Sequence, residues 1–380
     1  MLIKTPIPTL TLDVISLFIS ENYPDNPEIA LKAYTGLLMY IQLYREPDEE
    51  SESIYKNIHS DNLATYTFYY KKHITYKKII TDLVSMNLLV VNNKYRFDGE
   101  KSFTKSYFTT LLIDENFSQI DINVNFGNYR TKAQHLSKFR NFKKVIHTTY
   151  ATKIDLLGYQ NWLFNNLGTE LKPKRKENVL IERVLTEEIA YRYLIRALKF
   201  NLGLHWFSHQ KNSGRFYSSF TTLPGSSLDF TTIRGQKVVE LDIKNAQPMF
   251  LIEYVDDEQY KYDVTSGVFY QKFMSELRMT KNKIKNMMYA NVFFNDKKLL
   301  KGKLFNAFEK FYPGLIHEIN ILKMDELWLK LQKIESSLII ENFRKDDDCL
   351  TKHDAIIYVD NKEITDKYNR ILDEFKNKNK

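Results

Sequence analysis

The sequence predicts an α+β fold, with a largely helical N-terminal region followed by a C-terminal antiparallel sheet flanked by helices. Three observations predict it. Helix-period apolar stretches with recognisable caps recur through the first half of the chain. Short β-branched runs separated by turn residues follow one of those helices after Asn87. Two apolar strand-like segments in the last part of the chain, VVELDI and AIIYV, each lie against an aspartate, Asp242 and Asp354. On this reading the chain divides into a helical module at 1–115, a helical and basic connecting region at 116–200, and a core at 201–380.

At 380 residues with 43% apolar side chains, the chain can build two or three ordinary cores. Its formal net charge of +8 favours a polyanionic partner, because basic side chains gain free energy by displacing counterions from phosphates. A single cysteine, Cys349, excludes a disulfide framework and a cysteine-rich zinc site, and fits a reducing cytoplasm. The opening MLIKTPIPTLTLDVISLF is interrupted by Pro6, Pro8 and Asp13, so neither a signal peptide nor a membrane span is expected there.

Asn26-Pro27-Glu28 opens the first clear helix: a capping side chain, a proline in the first turn, and an acid at the positive end of the dipole. Thr75 can cap a second, YKKIITDLVSM, whose Ile79, Ile80, Leu83 and Val84 recur at helical spacing. Asn87 ends it, and LLVV, KYRF and SYFTTLLI read as strands joined by NN and DGE turns. A helix followed by a β-ribbon is the order of a winged-helix-like module, which would lay the helix in a groove and the ribbon on the backbone. The same succession also occurs in α+β domains that bind no nucleic acid. KPKRKEN (172–178) reads as an exposed basic linker. TEEIAYRYLIRALKFNLG (186–203) reads as a helix with Arg192, Arg196 and Lys199 on one face, suited to a phosphate backbone or to solvent.

The chemistry-bearing segments lie after residue 205. VVELDI delivers Asp242 to a strand-to-helix turn, with Asn245 and Pro248 at the helix start, where a carboxylate and the Ile243 carbonyl can both face a cation. In MTKNKIKNMMYANVFFND, Lys281, Lys285, Tyr289 and Phe293 fall at successive steps of four on one helical stripe. Cations followed by aromatics suit a nucleoside triphosphate, with lysine on the phosphates and tyrosine against the base. LQKIESSLII is an amphipathic helix bearing Gln332 and Glu335, and His353-Asp354 sits at a tight turn before AIIYV. Two carboxylates arriving on separate strands are what a two-metal phosphoryl transfer needs, and Mg²⁺ suits that task because it accepts few protein oxygens.

The order GR-x-x-S-S before LP, then LD-x-x-x-x-Q, then a lysine-rich helix with tyrosine, then HD-A-I-I resembles the palm and fingers of family A DNA polymerases. The resemblance covers about residues 205–365. It implies a palm with an antiparallel sheet and helical fingers, two Mg²⁺ ions, a DNA primer–template and deoxynucleoside triphosphates as partners, and a thumb-like role for 116–200. It implies Asp242, the Ile243 carbonyl and Asp354 as metal ligands, with the two aspartates catalytic. Lys281 and Lys285 would hold the triphosphate, Tyr289 the base, and Arg215, Gln332 and His353 the primer–template. Gln247 stands where DNA-making members carry a glutamate that excludes the ribose 2′-hydroxyl.

The chain departs from the family pattern in three places. The interval between the two aspartates is short, so the fingers would be trimmed; Phe294 stands in place of a glycine after the second aromatic; and Gln247 replaces the glutamate. No exonuclease carboxylate set precedes the palm, so no proofreading is expected. The leading expectation is a compact DNA polymerase of a phage or mobile element. The alternatives are a primase or RNA polymerase using the same palm, and a non-catalytic DNA-binding protein of replication-initiator type acting through residues 60–113.

Overall fold

The computed structural model describes residues 2–43, 56–66, 74–96, 104–110, 117–123, 131–176, 179–295, 297–352 and 354–378. The chain is α+β and forms two compact units, Met1–Tyr129 with Ile154–Leu204, and Arg130–Lys153 with His205–Lys380. This differs from the three-part division read from the sequence: the connecting region 116–200 is shared between the units. The reason is packing. Phe142 stacks on Phe216 with ring centroids 4.0 Å apart, and the helix Lys143–Ala151 lies on the strand Cys349–Lys352, which ties 130–153 to the C-terminal unit.

In the first unit, Leu2–Pro8 pairs antiparallel with Phe117–Asn123. The helix Pro27–Leu43 begins at its proline and is buried continuously from Ala33 to Leu43, so it forms the centre of the unit's core. The strand Lys56–His59, the helices Ser60–Tyr66 and Tyr76–Ser85, and the strands Leu89–Arg96 and Thr104–Thr109 follow in that order. The first of these strands pairs with the last, which sits in the middle of a three-stranded antiparallel sheet. Thr75 caps the helix Tyr76–Ser85 by accepting from the Lys78 amide at 3.4 Å, and Asn87 takes the left-handed conformation that ends it. Buried Asp82 anchors this helix, accepting from the Tyr34 hydroxyl and from Lys78 Nζ at 2.7 Å.

Three local expectations are corrected here. LLVV and the start of KYRF do not form two strands: Leu89–Arg96 is one strand whose register shifts between Asn92 and Arg96 instead of reversing in a turn. The DGE turn lies outside the described residues. KPKRKEN is no linker, because Glu170–Lys176 pairs with Val179–Val184 as a two-stranded ribbon. In the helix Glu187–Asn201, Lys199 is buried, so the supposed basic face is interrupted by the core.

A five-stranded sheet runs in the order Cys349–Lys352, Ala355–Val359, Gln236–Asp242, Thr231–Ile233 and Thr152–Ile154, the first three pairings antiparallel. Ala355–Tyr358 is fully buried, whereas the neighbouring Gln236–Asp242 is mostly exposed, with Val239 at 37%. The apolar look of VVELDI therefore does not mean burial; the sheet is open along this strand. The helix Lys362–Lys378 buries Ile364, Tyr368 and Phe375. Phe375 meets Phe250 edge-on at 6.3 Å.

His205 ties the base of the second unit together. It is 1% exposed, shares a hydrogen bond with Ser219 Oγ at 2.8 Å, and its carbonyl accepts from His135 Nε2 at 3.0 Å. Burial, and then the charges of Lys153 and His135, pull its pKa down to about 3. A base whose folded pKa lies below its unfolded value is neutral in the fold, so its stabilising effect is complete above about pH 6.5 and is lost as the pH falls. Urea-unfolding free energies are expected to drop by about 1.4 kcal/mol per pH unit below pH 6.5 from this group alone. His205→Asn is expected to flatten that slope between pH 6.5 and 5; an unchanged slope would contradict the assignment.

Candidate active site

The site is built where two strand ends meet. Asp242 closes the strand Gln236–Asp242, and its Cα pairs with that of Ala355, the residue after Asp354. The pairing continues one step further, because the Ile243 amide donates to the Asp354 carbonyl at 3.1 Å. The turn carrying Asp354 has room for only two residues, since Lys352 pairs with Ala355. Sheet register thus sets two acids, far apart in the chain, at neighbouring positions on one edge. Asp242 is exposed and Asp354 half-buried. After Asp242 the chain turns through Asn245, which caps nothing with its side chain but takes a left-handed backbone (φ 57°) that asparagine tolerates. That reversal starts the helix Ala246–Leu251 and buries Gln247.

A second wall comes from the helix Leu327–Ser336, which presents Glu335, 2% exposed. Arg215, from the turn before the strand Phe216–Ser218, grips it with a two-pronged bond: Nε to Oε1 and Nη2 to Oε2, both 2.8 Å. Gln247 Nε2 lies 3.4 Å from the same Oε2. Arg215 can approach so closely because its neighbour is glycine. Gly214 has φ +74°, and a Cβ there would stand 2.9 Å from Ser336 Cβ. Burial pushes the Glu335 carboxyl up, the Arg215 fork opposes that, and the Asp354 charge adds to it.

The third wall is the helix Lys281–Met288, capped by Thr280 and continued by a wide π-type turn, Tyr289–Phe293. Tyr289 is held by edge contacts to Phe293 at 5.9 Å and Phe294 at 5.5 Å. Phe294, in the expected glycine position, is a ring against Tyr289. Lys285 Nζ lies 5.4 Å from the centre of the Tyr289 ring, whereas Lys281 is exposed and reaches over Tyr270 at 5.8 Å. Burial, and then the charges of Asp354, Asp242 and Glu335, raise the Tyr289 hydroxyl above its ordinary range. The same two aspartates act on Tyr368 from the C-terminal helix, again after burial, and the Tyr368 hydroxyl is buried without a hydrogen-bond partner.

The structure therefore brings Asp242, Asp354, Arg215, Gln247 and Tyr289 into one neighbourhood, with Lys285 joined through Tyr289. Gln332 is buried one turn before Glu335, Lys281 stands further out, and His353 lies outside the described residues. Two residues of the site went unassigned from sequence: Glu335 and Tyr368. Glu335 carries a usable signal, an acid on the apolar side of LQKIESSLII; Tyr368, in the C-terminal helix with the buried Ile364 and Phe375, carries none.

Two carboxylates on adjacent strand ends, one of them exposed, are hard oxygen donors that fit Mg²⁺, which needs few protein ligands when phosphates complete its shell. Among the described residues no group of three or more His, Cys, Asp or Glu side chains gathers to hold a metal. Among the same residues no helix is long and apolar enough to cross a membrane. No protein-family model, curated protein or solved structure matches the chain.

Proposed function

We propose that this chain is a template-directed nucleotidyltransferase, a compact DNA polymerase with a family A-like palm and without proofreading. The observation that carries this reading is the register that sets Asp242 beside Asp354, with Tyr289 and the Arg215–Glu335–Gln247 group around them. Asp242, Asp354 and the Ile243 carbonyl would hold two Mg²⁺ ions, which when bound lower the barrier to phosphoryl transfer by countering charge on the phosphates. Lys285 and Lys281 supply cations along the helix that leads to Tyr289, matched to a triphosphate. Tyr289, its ring fixed by two phenylalanines, offers a flat apolar face for a base. Arg215, 15% exposed and locked to Glu335, presents a fixed cation towards the primer–template.

The first unit fits a duplex-gripping accessory of winged-helix-like order: helix, strand, two helices, then two strands, with the first strand on the outer edge. Lys77, Lys78, Thr81, Val84 and Ser85 form the exposed side of the helix Tyr76–Ser85, and the one acid of that helix is buried. A helix face of that composition suits phosphates and base edges.

The test is extension of a labelled primer on a template by the full chain with Mg²⁺ and deoxynucleoside triphosphates. Extension is expected; none with either deoxy- or ribonucleotides would overturn the reading. In the same protein, Lys77→Glu is expected to weaken duplex binding by about three- to tenfold at moderate salt, since it replaces a favourable phosphate contact with a repulsive one. Fluorescence anisotropy reads this, and duplex affinity unmoved by the change would remove the first unit from the proposal.

A further inference from the structure

Resting on the nucleotidyl-transfer reading, we infer that Lys323 is a positioning residue. With Asn320 it latches the end of the helix that carries Tyr289, keeps the last turn wide, and so fixes the Tyr289 ring beside the two aspartates.

The latch works on backbone carbonyls. A helix leaves its last carbonyls without intrahelical partners and gathers partial negative charge at that end. The helix Lys281–Met288 runs into the wide turn Tyr289–Phe293, closed by the Phe294 amide donating to the Tyr289 carbonyl at 3.1 Å. Lys323 meets this end from another helix, Leu315–Met324. Its Nζ donates to the Asn291 carbonyl in the middle of the wide turn and, at 2.9 Å, to the Lys297 carbonyl beyond it. Asn320 stands three residues earlier on the same face. It grips Leu299 from both sides: Oδ1 accepts from the Leu299 amide at 2.8 Å, and Nδ2 donates to the Leu299 carbonyl at 2.9 Å. Lys323 is 3% exposed and Asn320 is 6% exposed. Burying an ammonium group is costly unless hydrogen bonds offset it, so these carbonyls and the lysine hold each other in place.

The consequence falls on Tyr289. In an α-helix, residues five apart point away from one another; a wider turn lets them meet. Phe294 follows Tyr289 by five, and their rings meet edge-on at 5.5 Å. That contact lasts only while the turn stays wide. Lys323 holds the chain before Phe294, at Asn291, and after it, at Lys297. Without its donors the turn can tighten to the α form, which carries Phe294 off the Tyr289 ring and lets that ring swing. Tyr289 stands close enough to Asp354 and Asp242 for both charges to add to the effect of burial on its hydroxyl.

The experiment compares the full chain with its Lys323→Met variant, with Mg²⁺, on one primer–template. Methionine keeps the reach of the side chain and removes its donors. The KM for the incoming deoxynucleoside triphosphate is expected to rise about tenfold while kcat changes less than about threefold, because a loosened ring weakens nucleotide binding and leaves the acids in place. Adding Lys323→Met to Tyr289→Ala is expected to raise KM no further than Tyr289→Ala alone, since both act through one ring. Hydrogen exchange at the amides of 289–294 is expected to quicken about tenfold in Lys323→Met, with the helix Leu327–Ser336 unchanged. Asn320→Ala, which cuts only the grip on Leu299, is expected to shift both readouts the same way by a smaller factor, and serves if Lys323→Met does not fold. An unmoved KM in a folded variant, additive losses in the double variant, or exchange that quickens along the whole chain would reduce Lys323 to general support. Any of these overturns the inference and leaves the nucleotidyl-transfer reading standing. A wild-type chain that extends no primer overturns both.

Discussion

Asp242→Asn and Asp354→Asn are each expected to lower primer extension by about a thousandfold or more, without loss of folding. An asparagine keeps the shape of the side chain and removes the charge that would attract a divalent cation. The fold has little reason to object. Asp242 is exposed, and the backbone bond that aligns the strand ends, Ile243 amide to Asp354 carbonyl, uses no side-chain atom of either acid. Acids at neighbouring positions also repel, and Glu335 feels the Asp354 charge. Removing one of them is expected to change unfolding free energy by no more than about 1 kcal/mol. The double variant is expected to be little worse than either single one, because the two residues act as a unit. Extension assays and thermal unfolding on the same preparations check both halves. Activity surviving in the double variant would remove these residues from the chemistry, and collapse of the fold would show that their main service is structural.

The parts of the structure that could be read beforehand are those governed by local rules. Thr75, Thr186 and Pro27 begin helices because capping and first-turn chemistry depend on residues within one turn. The neighbouring placement of Asp242 and Asp354 is readable for a related reason: two apolar runs, each bounded by an acid at a turn, can align in few ways that keep AIIYV buried. What could not be read depends on partners distant in sequence. Glu335 shows in the sequence only as an acid on the apolar side of its helix, and its partner Arg215, 120 residues away, arrives through a glycine. The π-type turns at Tyr289–Phe293 and Ser337–Glu341 leave no mark in a helical periodicity, yet the first of them alters the step from Tyr289 to Phe293. Lys199 fits a basic stripe on paper and is drawn into the core by the apolar residues around it. The assignment of 130–153 to the second unit rests on Phe142 and Phe216, a stacked pair that no local pattern announces.

The joint between Arg215 and Glu335 carries the second large expectation, and it separates stability from function. Arg215→Ala leaves a buried carboxylate without its counter-charge, and is expected to destabilise the chain by about 3–5 kcal/mol. The loss is a desolvation penalty as much as a lost attraction, so it can be relieved without restoring the pair. Arg215→Met combined with Glu335→Leu replaces two buried charges by apolar side chains of similar reach, and is expected to recover most of that stability. It is not expected to recover activity, since the fixed cation and the acceptor of Gln247 are both gone. Gly214→Ala attacks the same joint through the backbone alone. A left-handed φ costs an alanine roughly 1–2 kcal/mol, and its Cβ, 2.9 Å from Ser336 Cβ, would force the two elements apart. It is therefore expected to reduce both stability and activity with every charge in place. Denaturant unfolding with parallel extension assays on the three variants decides the matter. If the apolar pair restored extension along with stability, the ion pair would be scaffolding only. If Gly214→Ala were silent in both assays, the close approach that gives Arg215 its position would not be needed.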